Sequence, residues 1–474
     1  MADIEIEKLR TDLAREIGAE QVQWDDDVLA GHVHDTWPLS LVRADRGELT
    51  NRPACVVWPE SAEQVQAVLR FANREHVPIA PFGAGSGVCG GFLPDDRSIV
   101  IDMRRMNAVV EVEETSLYTR VQAGMMGHHF EAALNERGYS MGHFPQSIEL
   151  STVGGWVSTR AAGQLSTRYG SMEDMLLGLE VILANGERVT IKPSPRRSAG
   201  PDLRHLFLGS EGTLGVITEA TVKIFPIPEC RRMSSYTFAD FETGLEAIRQ
   251  IMRVGWRPPV VRLYDAHESG RHFGQWAEGD ACFLLIVSEG PAALADAETE
   301  ACRRICLSLA AGETGETPVE HWYAERNNVP SLTDLVGRGF VVDTVEVTAD
   351  WSHIRELYSN VMAAVGGAES LLIVSGHSSH SYAQGTNIYF TFVAQPQDFA
   401  DAEAVYRDCW KRAMDATVRS GGSISHHHGI GRMRIPWMRD EHGAAGIAVM
   451  RSLKNALDPN GILNPGALLP GATD

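Results

Sequence analysis

The chain has 474 residues, room for two or three domains, and its 44% hydrophobic and 22% charged content is that of an ordinary globular protein. A formal charge of −20 argues against nucleic acid or anionic membrane as a partner, but not against a small anionic substrate in a locally basic pocket. No apolar run approaches the roughly 20 residues that span a bilayer, so no transmembrane segment is expected.

The opening MADIEIEKLRTDLAREIG reads as a charged amphipathic helix, not a signal peptide, and residues 1–49 are expected to form a mainly helical cap. Residues 50–228 alternate short β-branched runs (CVVWP, VPIAPFG, SIVIDM, LEVILANGERV, GVITEATVKIFPIP) with helical stretches such as SAEQVQAVLRFANREH. Ser61 is placed to cap that helix, with Gln64 three residues on. The prolines of PIPECRR mark a boundary. Residues 229–415 pair long helical patterns (FETGLEAIRQIMR, DAEAVYRDCWKRAMDATVRS) with strand patterns (PVVRLYD, CFLLIVSEG, ESLLIVSGH, TNIYFTFVA). This texture predicts an antiparallel sheet with helices on one face, and an α+β chain as a whole. Residues 416–474 hold GGSISHHHGIGR, then a helix and a proline- and glycine-punctuated tail, and are expected to pack back on the first domain.

Seven scattered cysteines, with only Cys302 and Cys306 close together, read as thiols of a reducing, cytoplasmic setting. The pair in ACRRIC lacks the second pair that a zinc site needs. The final PGATD carries no recognisable targeting address.

Three glycine-bearing stretches stand out. PIAPFGAGSGVCGG (78–91) follows a strand and offers bare backbone N–H groups to an anion such as a diphosphate. It is neither a G-x-G-x-x-G opening a helix nor a P-loop, and a bulged turn is the plain alternative. PQSIELSTVGGWVSTRAAG (145–163) and HLFLGSEGTLGVITEATVKI (205–224) add small residues suited to one long, flat cofactor in a backbone-lined cleft.

Together with GGSISHHHGIGR, these stretches resemble the p-cresol methylhydroxylase-type FAD-binding domain of the vanillyl-alcohol oxidase superfamily, and within it the alkyldihydroxyacetonephosphate synthase family, over about residues 30–470. The resemblance implies a two-subdomain FAD-binding domain (50–228), a separate antiparallel-sheet substrate or cap domain (229–415) and FAD as cofactor. It places a diphosphate loop at Pro81, Phe82, Gly83, Ala84, Gly85, Ser86 and Gly87. A second set of flavin contacts falls on Gln146, Ser147, Ile148, Glu149, Leu150, Ser151 and Thr152, with Ser158, Thr159, Arg160 and Ala161 beyond them. A third falls on Glu211, Gly212, Thr213, Leu214, Gly215, Val216 and Ile217. Tyr389 matches the family's acid/base tyrosine, His426, His427 and His428 its histidine triplet, and Arg262 a substrate-domain arginine. No histidine lies in the 81–91 loop where some relatives tether the flavin, so FAD is expected to be non-covalent, with Cys89 the one opening for a link.

Two positions depart from the family at the substrate end. A family arginine aligns with Thr333 unless Arg326 or Arg338 replaces it, and a cysteine near the tyrosine becomes Asn387.

The residues themselves leave choices open. Adjacent histidines cannot all point one way, and a metal would need two of them converging with a third ligand, so no metal is expected. Tyr389 alternates with Ile388 and Phe390 and reads equally as a core aromatic or as an acid/base phenol activated by a neighbouring cation. GHSSHSY supplies His377, His380 and Tyr382 as pocket lining. Arg262 is either a surface ion-pair partner or an anion anchor. Three functions follow. The favoured one is an FAD-dependent oxidoreductase taking hydride from a small hydroxylated, amine or acid substrate. The second is a redox-neutral, ether-bond-forming transferase of the alkyldihydroxyacetonephosphate synthase type. The third is a non-catalytic flavin-binding scaffold. The partner in each case is a small molecule; a homodimer is one open assembly state.

Overall fold

The computed structural model describes residues 2–277, 279–328 and 332–470. In the N-terminal half, the helix Ala62–Glu75 shows why the chain folds as its pattern reads. Ser61 accepts the Gln64 N–H at 3.3 Å as N-cap, and Val65, Val68, Leu69 and Ala72, spaced for one helix face, are buried. Left-handed His76 ends it.

Two sheets build this half. A four-stranded sheet has the order Val22–Gln23, Cys55–Val57, Ile99–Asp102, Ile79–Phe82, the last three strands parallel. A five-stranded antiparallel sheet runs Val109–Glu113, Tyr118–Gln122, Val216–Lys223, Leu176–Ile182, Arg188–Ile191. One apolar core, including Val65, Leu69, Ile79, Ile101, Val121, Val181 and Val222, joins both sheets. The glycine loop leaves the parallel sheet at Phe82, where the strand's carboxyl end opens onto a cleft.

The second half is a seven-stranded antiparallel sheet: Gly312–Glu313, Cys230–Phe238, Cys282–Gly290, Val260–Tyr264, Leu371–Ser378, Gly385–Ala394, Val341–Asp350. Strand alternation sorts its faces. Val261, Leu263, Val345, Val347, Ile388, Phe390 and Phe392 join a core with helices Phe241–Val254, Ile354–Gly366 and Ala402–Arg419. The alternate residues Arg262, Glu346, His377 and Tyr389 face the other way, toward the cofactor half.

The histidine loop crosses between the halves. Ser423 bridges to Thr348 of the edge strand, and the N–H groups of Arg432 and Met433 both donate to the Cys89 carbonyl, at 2.9 and 3.1 Å. Gly431 makes that docking possible: its φ is +55°, and a Cβ there would lie 2.1 Å from the Cys89 oxygen.

Candidate active site

A cavity of about 630 Å3 runs between the halves, well within the roughly 300–1,000 Å3 usual for ligand sites. Its cofactor-side wall is Pro81 to Gly87, then Gln146, Ser147, Leu150, Ser151, Thr152, Ser158, Thr159 and Ala161, then Glu211, Gly212, Gly215, Val216 and Ile217. Among the described residues, none of the N–H groups of Gly83 to Gly87 donates to a protein acceptor. A Cβ on Gly83 would stand 2.5 Å from Thr152 Oγ1, so only bare backbone can approach a guest here. A chain of free N–H groups at the head of a long cleft can hold an anion.

Some residues in these stretches turn away from the cavity. Ile148 is buried in the adjoining core and Glu149 is exposed. Arg160 pairs with Glu173 and, like Thr213 and Leu214, lines a second cleft. Contiguous stretches cannot present every side chain to one cavity.

At the substrate end, Arg262, His377, His380, Tyr389, His427, His428 and Thr333 line the same cavity, whereas Arg326 and Arg338 do not. Arg262 donates from Nε to Tyr264 Oη at 2.6 Å and from Nη2 to His377 Nε2 at 2.7 Å. A guanidinium only donates, so His377 Nε2 accepts and its Nδ1–H donates to Glu268 Oε2 at 2.7 Å. Burial and then Arg262 lower the His377 pKa, in keeping with that neutral tautomer. Arg262 is thus fixed by two uncharged groups, with no direct carboxylate partner among the described residues. Its positive charge is left for a guest.

Tyr389 stacks on His377 at 4.8 Å between ring centroids. Burial raises its pKa, and a hydrogen bond with the Thr344 side chain and the nearby Arg262 only partly offset this. Asn387 is buried and structural in geometry: its Oδ1 accepts the N–H groups of Ser379 and His380, at 3.0 and 2.9 Å, which shapes the turn carrying His380.

The histidine loop is organised by one carboxylate. Glu346 accepts the backbone N–H groups of His426, His427 and His428 and the Arg434 guanidinium. Burial opposes the Glu346 charge, but Arg434 and the surrounding imidazoles outweigh it and hold the carboxyl well below its usual range. Burial also lowers the imidazoles, His427 to about 3 and His428 to about 4, so both are neutral at neutral pH. His426 turns to the second cleft. His380, His426 and His427 bring one ring nitrogen each within 4.8 Å of one another, a set that can admit a metal ion. The near-parallel rings of His380 and His426, 21° apart at 5.0 Å, aim their lone pairs side by side and converge poorly.

Sequence reasoning did not single out Glu346, Arg434 or Glu268. Glu346 had a signal, a carboxylate inside the apolar strand VVDTVEVTAD; Glu268 and Arg434 had none.

A cleft whose head offers unpaired backbone N–H groups and whose far end gathers a fixed arginine and neutral histidines defines a flavoprotein site. Residues 53–192 match the family described as FAD binding domain, and residues 227–468 match FAD linked oxidases, C-terminal domain. The chain belongs to this FAD-linked oxidase family, and FAD is its cofactor. It is 38% identical to the Uncharacterized FAD-linked oxidoreductase YgcU of Escherichia coli (strain K12), over 96% of each chain. It is 32% identical to the Alkyldihydroxyacetonephosphate synthase of Dictyostelium discoideum, over 94% of this chain and 79% of that one. Glycolate oxidase subunit GlcD of Bacillus subtilis (strain 168) is 27% identical over 88% and 89%. A solved alkyldihydroxyacetonephosphate synthase superposes with a TM-score of 0.79 at 28% identity, covering 96% of this chain and 84% of that one. The substrate-bound p-cresol methylhydroxylase shares the fold at 18% identity, with a TM-score of 0.78, covering 98% of this chain and 96% of that one. No helix among the described residues is long and apolar enough to cross a membrane.

Proposed function

We propose that this protein oxidises a small hydroxylated acid, with Arg262 holding the acid group and a loop histidine taking the hydroxyl proton. When bound, FAD supplies the acceptor for the hydride that leaves the substrate carbon as its C=O bond forms. The chain's own residues do the rest. Arg262 orients the anion through a guanidinium already immobilised by Tyr264 and His377. Neutral His427 accepts the hydroxyl proton, and protonated Tyr389 donates a hydrogen bond where negative charge gathers. His428 shares the wall with them.

The observation that carries this reading is the fixed, carboxylate-free Arg262 facing a cavity that also holds neutral histidines. Redox-neutral ether-bond formation is the second reading, favoured by the 32% identical synthase. Against it, Thr333, which the resemblance matches to a family arginine, lines the cavity, and neither Arg326 nor Arg338 does. Anaerobic addition of a hydroxy acid that bleaches the flavin supports oxidation; a flavin untouched by every hydroxy acid offered rejects it.

A further inference from the structure

The histidine loop separates two cavities. His427 and His428 line the cofactor cavity, while His426 and Tyr382 line a second cleft of about 820 Å3 on the loop's other side. That cleft includes the exposed Arg160, Glu173, Asp350 and His442, so it opens to water. Hydrogen bonds cross the wall between them. His427 Nδ1 lies 2.9 Å from His426 Nδ1, and His426 Nε2 lies 2.8 Å from Tyr382 Oη.

We propose that His427, His426 and Tyr382 form a proton relay that carries the proton released by each oxidation from the cofactor cavity to the second cleft. This rests on the oxidation reading above. Each hydroxyl oxidised loses a hydride from carbon and a proton from oxygen; the hydride's two electrons go to oxidised FAD, and the proton remains to be moved. His427 Nδ1 is engaged with His426, and its Nε2 makes no hydrogen bond among the described residues in a ring that lines the cofactor cavity, so Nε2 receives the hydroxyl proton. In the same shift, the N–H of His427 Nδ1 passes its proton to His426 Nδ1. His426 Nε2 passes one to the Tyr382 oxygen, and the phenol releases its own to water in the cleft. Bonds made equal bonds broken at every link and one proton leaves per pass; both imidazoles then hold the opposite tautomer, and each ring turns before the next pass.

The neighbours support this route over others. His428 Nδ1 is buried without a hydrogen-bond partner, with the buried Glu346 Oε1 3.7 Å away, so a proton handed on from His428 would end on an acid closed off from water. His380 Nδ1 is held by Ser166 Oγ at 2.6 Å, a branch that ends in the protein. A metal ion on His380, His426 and His427 would occupy the same nitrogens and close the path.

The test has two arms. In FAD-loaded protein with 15N-labelled histidine and no substrate, NMR should show scalar coupling between the two facing Nδ1 atoms through one shared proton. Absence of that proton, or one equivalent of zinc bound at these histidines, overturns the relay. In the second arm, holoenzyme is mixed anaerobically with glycolate, D-lactate or L-lactate and a pH-indicator dye. Wild-type protein should release its proton in step with flavin bleaching, whereas in Tyr382→Phe release should lag bleaching about 100-fold, the size of a lost acid–base step. In His426→Ala, added imidazole entering from the cleft should restore release while bound FAD is unchanged. Release in step with bleaching in both variants overturns the proposal. If no acid bleaches the flavin, the oxidation reading fails, and the substrate-free arm still judges the relay.

Discussion

Glu346 and Arg434 form a fully buried ion pair, with Arg434 Nη1 2.7 Å from Glu346 Oε1. The same carboxylate gathers the N–H groups of three successive histidines, and the same guanidinium donates to the Ser425 hydroxyl and the Gly429 carbonyl. Three adjacent imidazoles are thereby held from behind, by backbone, and their rings are left free for chemistry.

Removing one member of such a pair strands the other's charge away from water. Glu346→Gln should therefore cost about 3–5 kcal/mol of folding stability, read as a lower denaturant midpoint at unchanged slope. A shift no larger than that of an exposed pair such as Arg160–Glu173 would show that the pair does not organise the loop.

Arg262 is the proposed anchor for the acid group. Arg262→Met should raise KM roughly 10- to 150-fold, the worth of one charge-assisted hydrogen bond of about 1.5–3 kcal/mol, with a smaller change in kcat. Arg262→Lys should recover little, because an ammonium cannot reach Tyr264 and His377 together. Equal loss in kcat and KM-independent turnover would assign Arg262 to the chemical step instead.

How much of this was legible in the sequence depends on where each interaction's partners lie. The glycine loop and the histidine run could be read directly, because their chemistry resides in residue types next to one another. Ile148, Glu149, Arg160, Thr213 and Leu214 could not be sorted from their neighbours, since runs of contact residues do not show which side chains turn away. Arg262 in an apolar strand was visible as an oddity, but its fixation by His377 spans 115 positions. Arg434 meets Glu346 across 88, and His377 meets Glu268 across 109, separations that only the order of the seven-stranded sheet brings together. Tyr389 was legible as pocket lining but not in the burial that raises its pKa.

The pH profile follows from the lowered histidines. A base works unprotonated, so a pKa lowered to about 3 at His427 and about 4 at His428 extends the working range downward. Flavin bleaching at saturating substrate should stay level as pH falls from about 8 to 5, then drop as pH nears the His427 value of about 3. A limb centred near the ordinary histidine value of about 6.5 would contradict the neutral, desolvated triplet.

His427→Ala should slow bleaching about 100-fold or more while FAD stays bound, as loss of a general base does. Tyr389→Phe removes a donor and should cost about 10-fold, the worth of one hydrogen bond. The reverse order would make the phenol the base.

Gly83→Ala places a methyl group 2.5 Å from Thr152 Oγ1, at the mouth of the cradle. The variant should purify with little flavin yet keep its far-ultraviolet circular dichroism. Wild-type flavin content would move the diphosphate elsewhere.

Oxidation at a flavin beside Arg262 is decided by anaerobic mixing of the FAD-loaded protein with a panel of small 2-hydroxy acids, followed at the flavin absorbance band. At least one hydroxy acid should bleach the flavin while its dehydroxylated analogue does not. A flavin that no hydroxy acid bleaches, in a protein that turns over an acylated dihydroxyacetone phosphate with a fatty alcohol, would contradict it.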